Sequence, residues 1–369
     1  VAKEHRKVVA DLFRAGDEAD ILALNRMEYG PTDILATLAD FDWRYAQNPA
    51  GQAIISVVRD WDSGSVVGFI WIVPLRIRVS GEDWVGATGA NLLIHPDYRG
   101  TPAYVKLMRR FRQAFIDHDI PLHYSFVSED TYSRLRPDDP RIAFEVSLLV
   151  KPLDMVKLAQ VHFNHRWQRL IVRIGGQLAI PLLFRARQLD SGKHNLALRV
   201  LDDFDERFDD FWVRVKDKYP VMVIRDHRYL AWRFARISGR QHRILVVQVG
   251  DEVVGYTVLR CANIRGIPTG LVMDLLVETG HRGEEAGACL MAEALRYFRS
   301  EDMWLAGGLM PSHATEHHIM RRAGYLPCPE RFAPRLFPFA FRFHGKKAAI
   351  APKLSPEHWF VTIADYEAY

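Results

Sequence analysis

Cysteine is scarce in this chain: Cys261, Cys289 and Cys328 are the only three in 369 residues, and none forms a Cys-X-X-Cys pair. So small and scattered a set encodes neither a disulfide framework nor a thiolate zinc site, and it fits a reducing compartment. A surplus of one charge is missing too. Lys and Arg number 49 against 45 Asp and Glu, a net of +4, which gives no reason to expect a nucleic-acid partner. Long apolar runs are absent. The longest, Leu170 to Phe184, is broken by Arg173, Gly175, Gly176, Gln177 and Pro181, and it falls short of the ~20 residues a membrane-spanning helix needs. Val1 to Arg14 is charged and has no apolar centre of the kind a secretion signal carries, so a cytoplasmic protein is expected. Glycine-rich phosphate loops and a Gly-X-Ser-X-Gly elbow are also lacking, which argues against dinucleotide, P-loop and serine acyl-enzyme chemistry.

What is present is ordinary globular composition, 49% hydrophobic and 25% charged, at a length that suggests two domains. The chain also repeats itself. Asp42-Trp43-Arg44-Tyr45 returns as Ala231-Trp232-Arg233-Phe234, and Val66-Val67-Gly68-Phe69 as Val253-Val254-Gly255-Tyr256. Leu92-Leu93-Ile94 with Arg99-Gly100 returns as Leu275-Leu276-Val277 with Arg282-Gly283. The offsets are 189, 187 and 183 positions. A period that long means two copies of one domain rather than a solenoid.

Each copy reads as strand, helix, two strands joined by a turn, a further apolar strand, an amphipathic helix and another buried strand. The helix faces are Tyr104, Leu107, Met108, Phe111 and Phe115 in one copy, and Gly287, Leu290, Met291, Ala294 and Phe298 in the other. The expected fold class is α/β (α+β), with two tandem domains that each fold a mixed, mostly antiparallel sheet flanked by helices. The boundaries are expected at 1–152, a linker over 153–190, and 191–369. Arg166, Arg169, Arg173, Arg185 and Arg187 border the linker's apolar run. The linker reads either as a packed helix or as a basic amphipathic segment, with 166–187 making peripheral contact with the inner face of a membrane.

In both copies the apolar strand runs through an Arg-Gly turn into a helix. The runs are His95-Pro96-Asp97-Tyr98-Arg99-Gly100 and Glu278-Thr279-Gly280-His281-Arg282-Gly283. Amides converge at such a helix start, and its partial positive charge suits phosphate. At these residues the sequence resembles the GNAT acyltransferase superfamily, whose Arg/Gln-X-X-Gly-X-Gly/Ala turn grips the pyrophosphate of acyl-coenzyme A. Ala323-Gly324-Tyr325 resembles the family's C-terminal Gly-Phe element. The likeness covers nearly the whole chain outside 153–190.

The resemblance implies an acyl-coenzyme A-dependent N-acyltransferase, with acetyl-coenzyme A or another acyl-coenzyme A as co-substrate and no metal. An amine would attack the thioester directly. The acceptor is expected to be a small-molecule amine or a saccharide, since similar Trp-Arg-aromatic elements occur in tandem GNAT proteins resembling those of bacterial polysaccharide clusters. Those elements read equally as a structural lock between the copies. The donor contacts implied are Leu93, Ile94, Arg99, Gly100, Thr101 and Ala103 in the first copy, and Val277, Arg282, Gly283 and Gly287 in the second. Pro102 and Tyr104 replace the motif glycines in the first copy, and Glu285 replaces one in the second.

Candidate catalytic groups divide between the copies. Asp274 stands eight residues before Arg282, where the family often places its base, but the first-copy equivalent is Asn91, which cannot take a proton. A carboxylate inside an apolar strand needs a role or a partner. His95 and Glu278, four residues before each arginine, are further titratable candidates, and Tyr132 is a candidate acid for the leaving thiolate. Electrostatics favours the first copy for phosphate, and the base favours the second. His313 and His317 share a helix face without a third ligand, so no metal site is expected. Two other readings compete: a Fem-like transferase using aminoacyl-tRNA, and a non-catalytic binding pair.

Overall fold

The computed structural model describes residues 7–133, 142–162, 195–235, 239–349 and 351–366. The basic segment 166–187, and with it the membrane expectation, lies outside the described residues. Among the described residues no helix is long and apolar enough to cross a membrane.

The first half runs β1 (Val8–Leu12), α1 (Glu18–Tyr29), α2 (Leu38–Tyr45), β2 (Ile54–Asp60), β3 (Val66–Val79), β4 (Glu82–Ile94), α3 (Ala103–Asp117), β5 (Leu122–Phe126), α4 (Glu129–Ser133) and β6 (Ile142–Glu145). Then come β7 (Leu148–Pro152) and α5 (Met155–His162). The second half runs β8 (Ala197–Leu201), α6 (Arg207–Val215), β9 (Val221–Val223), α7 (His227–Leu230), β10 (Arg243–Val249), β11 (Glu252–Ile264) and β12 (Ile267–Val277). It closes with α8 (His281–Ser300), β13 (Leu305–Leu309), α9 (Thr315–Arg322), β14 (Leu326–Pro327) and β15 (Pro338–Phe343).

The strands form two sheets, ordered β1-β2-β3-β4-β5-β15-β6 and β8-β10-β11-β12-β13-β7-β14, with β9 added alongside β3. Ladders are antiparallel except β4–β5 and β12–β13, so both sheets are mixed and mostly antiparallel. The repeated glycines sit where backbones approach. A Cβ on Gly68 would lie 3.0 Å from the Leu93 carbonyl, and one on Gly255 3.2 Å from that of Leu276, closer than an ordinary contact. Helix α8 buries Gly287, Leu290, Met291, Ala294 and Phe298, as its spacing predicts. In α3 the expected face holds at Leu107, Phe111 and Phe115, but Tyr104 turns outward and is 50% exposed.

The sheets do not divide at residue 152. β7, from the end of the first half, lies between β13 and β14 of the second sheet. β15, from the end of the second half, lies between β5 and β6 of the first. Each half therefore completes the other's sheet. Two equivalent edges offer the same ladder, so local sequence does not decide which one a terminal strand joins.

The Trp-Arg-aromatic elements meet at the junction of the halves. Trp43 and Trp232 stack with centroids 4.7 Å apart. Each indole N–H donates to the other tryptophan's carbonyl, at 2.8 and 3.0 Å. Arg44 pairs with Asp40 at 2.9 Å, and Arg233 donates to the carbonyls of Ala364 and Tyr366. Both arginines are buried. The repeated motif is a lock between copies.

Candidate active site

The first Arg-Gly turn is anchored from below and open above. Tyr98 is buried, and its hydroxyl donates to Asp60 at 2.7 Å. That bond, with the amides of the hairpin turn, holds the Asp60 carboxyl down at about 2. Pro96–Tyr98 form one turn of 3-10 helix capped by the His95 ring, and Gly100 takes φ 80°, which favours glycine. Arg99 donates through Nε to the Ile94 carbonyl at 2.9 Å and through Nη2 to Glu28 at 2.7 Å, and its side chain stays 51% exposed. Thr101 Oγ1 donates to the Tyr98 carbonyl and accepts from the Ala103 amide. The Ala103 amide is therefore spent inside the turn. Among the described residues, Tyr104 and Val105 hold the first-turn amides that the helix leaves without a partner.

Beside this turn the sheet opens. β4 and β5 pair only at Ala87–His123 and Thr88–Tyr124, so the last six residues of β4 run on without β5. The ladder with β3 is interrupted between Phe69 and Trp71, opposite Asn91, which takes φ 47°. Such bulges re-aim side chains. The Asn91 amide side chain accepts from the Tyr29 hydroxyl at 3.0 Å and donates to Asn25 at 3.2 Å. His95 donates its N–H to the Val67 carbonyl. In an antiparallel ladder the preceding residue must then point its polar groups the other way. Ile94 therefore directs N–H and C=O into the gap. Arg99 takes the carbonyl, and among the described residues no side chain accepts from the N–H.

The second copy repeats this geometry and fills it. β12 pairs with β13 from Thr269 to Val272 and then diverges. Glu278 donates its N–H to Val254, so Val277 faces the gap as Ile94 does. Its N–H donates to Glu316 Oε1 at 3.1 Å and its carbonyl accepts from Lys218 Nζ at 2.8 Å. Lys218 and Glu316 pair at 2.6 Å, 4% and 0% exposed. Tyr219 adds its hydroxyl to Glu316 at 2.5 Å, and burial together with that carboxylate pushes the phenol far up. A buried ion pair occupies the strand edge.

The second turn is closed as well. Arg282 is bound by Glu278 at 2.5 Å and Glu252 at 2.6 Å, and Arg214 also binds Glu278 at 2.7 Å. A Cβ on Gly283 would lie 1.9 Å from the Glu278 carbonyl, and one on Gly287 2.6 Å from Ile319. These glycines serve packing against the strand exit and α9. Glu285 is buried beside His281.

Asp274, two residues past the last β12–β13 pair, has no exposed surface. It accepts from the Tyr256 hydroxyl at 2.7 Å, from Thr362 at 2.9 Å and from Arg225 at 3.4 Å. Arg225 also pairs with Asp365 at 2.7 Å. Burial opposes the Arg225 charge, but Asp365 and Asp274 hold its pKa well above the ordinary arginine value. Burial raises Tyr256, and the neighbouring Asp274 raises it further. The carboxylate that a lone strand position suggested as a base is enclosed by its partners. Glu278 is likewise spent on two arginines. His95 caps the 3-10 turn, with Nδ1 accepting the Asp97 amide at 3.2 Å. Tyr132 lies on α4, half-buried, just beyond the end of β5. His317 is half-buried and His313 exposed, and among the described residues no group of three or more metal-ligating side chains forms.

Sequence reasoning missed Asn25 and Tyr29, which hold Asn91, Lys218 and Glu316, which fill the second gap, and Arg225, which pairs with Asp274. None carries a motif. Lys218 and Glu316 lie 59 and 39 residues from Val277, and no periodicity links them to it.

No family model matches the chain, and no curated protein does. Solved structures do. Saccharomyces cerevisiae N-myristoyltransferase with bound myristoyl-CoA superposes at TM-score 0.59 and 14% identity, over 95% of this chain and 82% of that one. A probable N-acyltransferase from Enterococcus faecalis gives TM-score 0.62 at 11% identity, over 91% and 73%. A GCN5-related N-acetyltransferase from Anabaena variabilis gives 0.59 at 10% identity, over 91% and 72%. This chain has the GNAT-like fold. The divergence of β4 from β5 recurs as that of β12 from β13 in the other half.

Proposed function

We propose that the protein is an acyl-coenzyme A-dependent N-acyltransferase whose donor site is the first copy. The observation that carries this reading is the open edge at Ile94, which leads into an exposed Arg-Gly turn, set against the filled edge at Val277. The pantetheine arm would add to Ile94 as a short strand. The pyrophosphate would meet Arg99, Gly100, Thr101 and the first-turn amides of α3, where the helix end favours negative charge. Lys106 donates to the Val8 carbonyl at 2.7 Å and so braces that helix against β1 while adding positive charge.

In the reaction an amine nitrogen attacks the thioester carbon. A backbone amide at the Asn91 bulge stabilises the oxyanion. The C–S bond breaks, and coenzyme A leaves as a thiol carrying the proton the amine gives up. Asn91, fixed by Tyr29 and Asn25, orients the amine without taking its proton, and Tyr132 is the candidate acid for the thiolate. A thiol of pKa about 8.5 is a fair leaving group even unaided. Acetyl-coenzyme A is the first donor to try, and a small-molecule amine, free or on a saccharide, the acceptor.

Thermal-shift titration with acetyl-coenzyme A tests the reading. At about 100 times the dissociation constant, a ligand of the folded state adds roughly 2.7 kcal/mol. The shift is expected in the parent protein and in Arg282→Glu, and it should vanish in Arg99→Glu. No shift with any acyl-coenzyme A would defeat the proposal in favour of a binding role.

A further inference from the structure

A groove of about 690 Å³ opens on the second sheet, within the roughly 300–1,000 Å³ typical of ligand sites. Its floor is β7, β12, β13 and β14, and its walls are α5 and the loop after β14. Gly270 faces Phe298 of α8, so Thr269 and Leu271 on either side face away from that helix, into the groove. The lining is apolar almost throughout. Among the described residues Arg265 and Arg331 are its only charged members, both exposed, and neither pairs with a carboxylate. Arg331 lies over the Phe332 ring at 4.7 Å. Leu326 and Phe332 remain 36% and 49% exposed, surface that water covers at a cost.

An apolar floor edged by two arginines that pair with no carboxylate among the described residues suits a hydrocarbon chain ending in an anion. One end of the groove also reaches the first copy. Tyr366, which lines it, packs edge-on against Phe126 at 4.9 Å, and Phe126 is the last residue of the strand bordering the open gap.

We propose that this groove binds a single-chain anionic amphiphile, a long-chain fatty carboxylate, with its chain on the sheet and its head at one of the two arginines, Arg265 or Arg331. That such a chain belongs to the acyl acceptor rests on the acyltransferase reading, but the binding itself does not.

Fluorescent dansylaminoundecanoate, titrated into the full chain, reads the site directly. Its emission should rise and blue-shift, palmitate should displace it, and uncharged octyl glucoside should compete far less. Arg265→Asn with Arg331→Gln should weaken palmitate about tenfold, and asparagine suits the φ of 51° at position 265. Gly307→Val should abolish binding of both chains with the melting temperature kept, because a Cβ there meets nothing closer than 3.5 Å and the branches fill the groove. Failure of palmitate to displace the probe, or unchanged binding in Gly307→Val, overturns the proposal. Equal competition by octyl glucoside overturns the role of the two arginines. Acetyl-coenzyme A in a parallel titration keeps the readings apart. Palmitate binding without coenzyme A binding sinks the acyltransferase and leaves the groove, and the reverse sinks the groove alone.

Discussion

The two strand gaps are the same construction put to different ends. At the first, Leu92 is 40% exposed, the Ile94 N–H has no partner among the described residues and the adjacent turn lies at the surface. At the second, Leu275, Leu276 and Val277 are fully buried, and Lys218 with Glu316 satisfies the strand edge. A buried polar group must be satisfied by something. In the second copy the protein supplies that partner itself, so the gap contributes to stability. In the first copy, on the function proposed above, that partner would be the donor. The two copies thus carry one open strand edge and one braced edge, joined by exchanged strands and the stacked tryptophans.

Breaking the plug should have the largest effect. Glu316→Gln leaves Lys218 buried and uncompensated, and it is expected to cost about 3–5 kcal/mol in urea denaturation. The folded protein should still bind acetyl-coenzyme A at the first gap. If affinity is lost along with the plug, the two gaps are not independent.

Next comes charge reversal at the turns. Arg99→Glu should weaken acetyl-coenzyme A about 100-fold, while Arg282→Glu should leave affinity within about twofold by calorimetry. Equal losses would erase the distinction between the copies.

The glycines sharpen it from the packing side. Gly283→Ala drives a Cβ into the Glu278 carbonyl and should cost about 1–3 kcal/mol. Gly100→Asn, at an open position with φ 80°, should change stability by less than about 0.5 kcal/mol.

Asp274→Asn separates a brace from a base. It should lose about 1–3 kcal/mol of stability as hydrogen bonds to a charged group weaken. Turnover per folded molecule, and its pH profile, should not change. A loss of kcat with its alkaline limb intact would return Asp274 to the chemistry.

The smallest effect concerns the seam. His123 and His344 meet at 2.6 Å where β15 joins β5, and burial, with Arg342 adding repulsion, pushes His344 down to about 4. An unfolded histidine titrates near 6.5. Between these values the unfolded chain holds more protons than the folded one, so stability falls as pH drops from about 6.5 to 4. His344→Phe, which keeps the stack on Phe115, should flatten that slope in melting curves while leaving acetyl-coenzyme A affinity at pH 7.5 unaltered.

Much of this was legible beforehand. The offsets of the Trp-Arg, Val-Val-Gly and Arg-Gly elements announce two copies, and the order of strands and helices follows from their periodicities. The Arg-Gly turns mark both strand exits. Asp274 stands out as a carboxylate in an apolar strand, but whether such a group is a base or a brace depends on Arg225, Thr362 and Tyr256, none of which the strand pattern reveals. Tyr104 fits the helical spacing of its neighbours and still faces solvent, because a spacing fixes an angle on the helix and not what packs there.

The sequence alone therefore determined the repeat, the two mixed sheets and the two Arg-Gly turns at the strand exits, since these depend on short-range pattern. Tertiary structure decided the rest: which strand completes which sheet, which gap is filled and which stays open. Those outcomes turn on partners tens of residues away. Equivalent local patterns leave such choices degenerate until the whole chain packs.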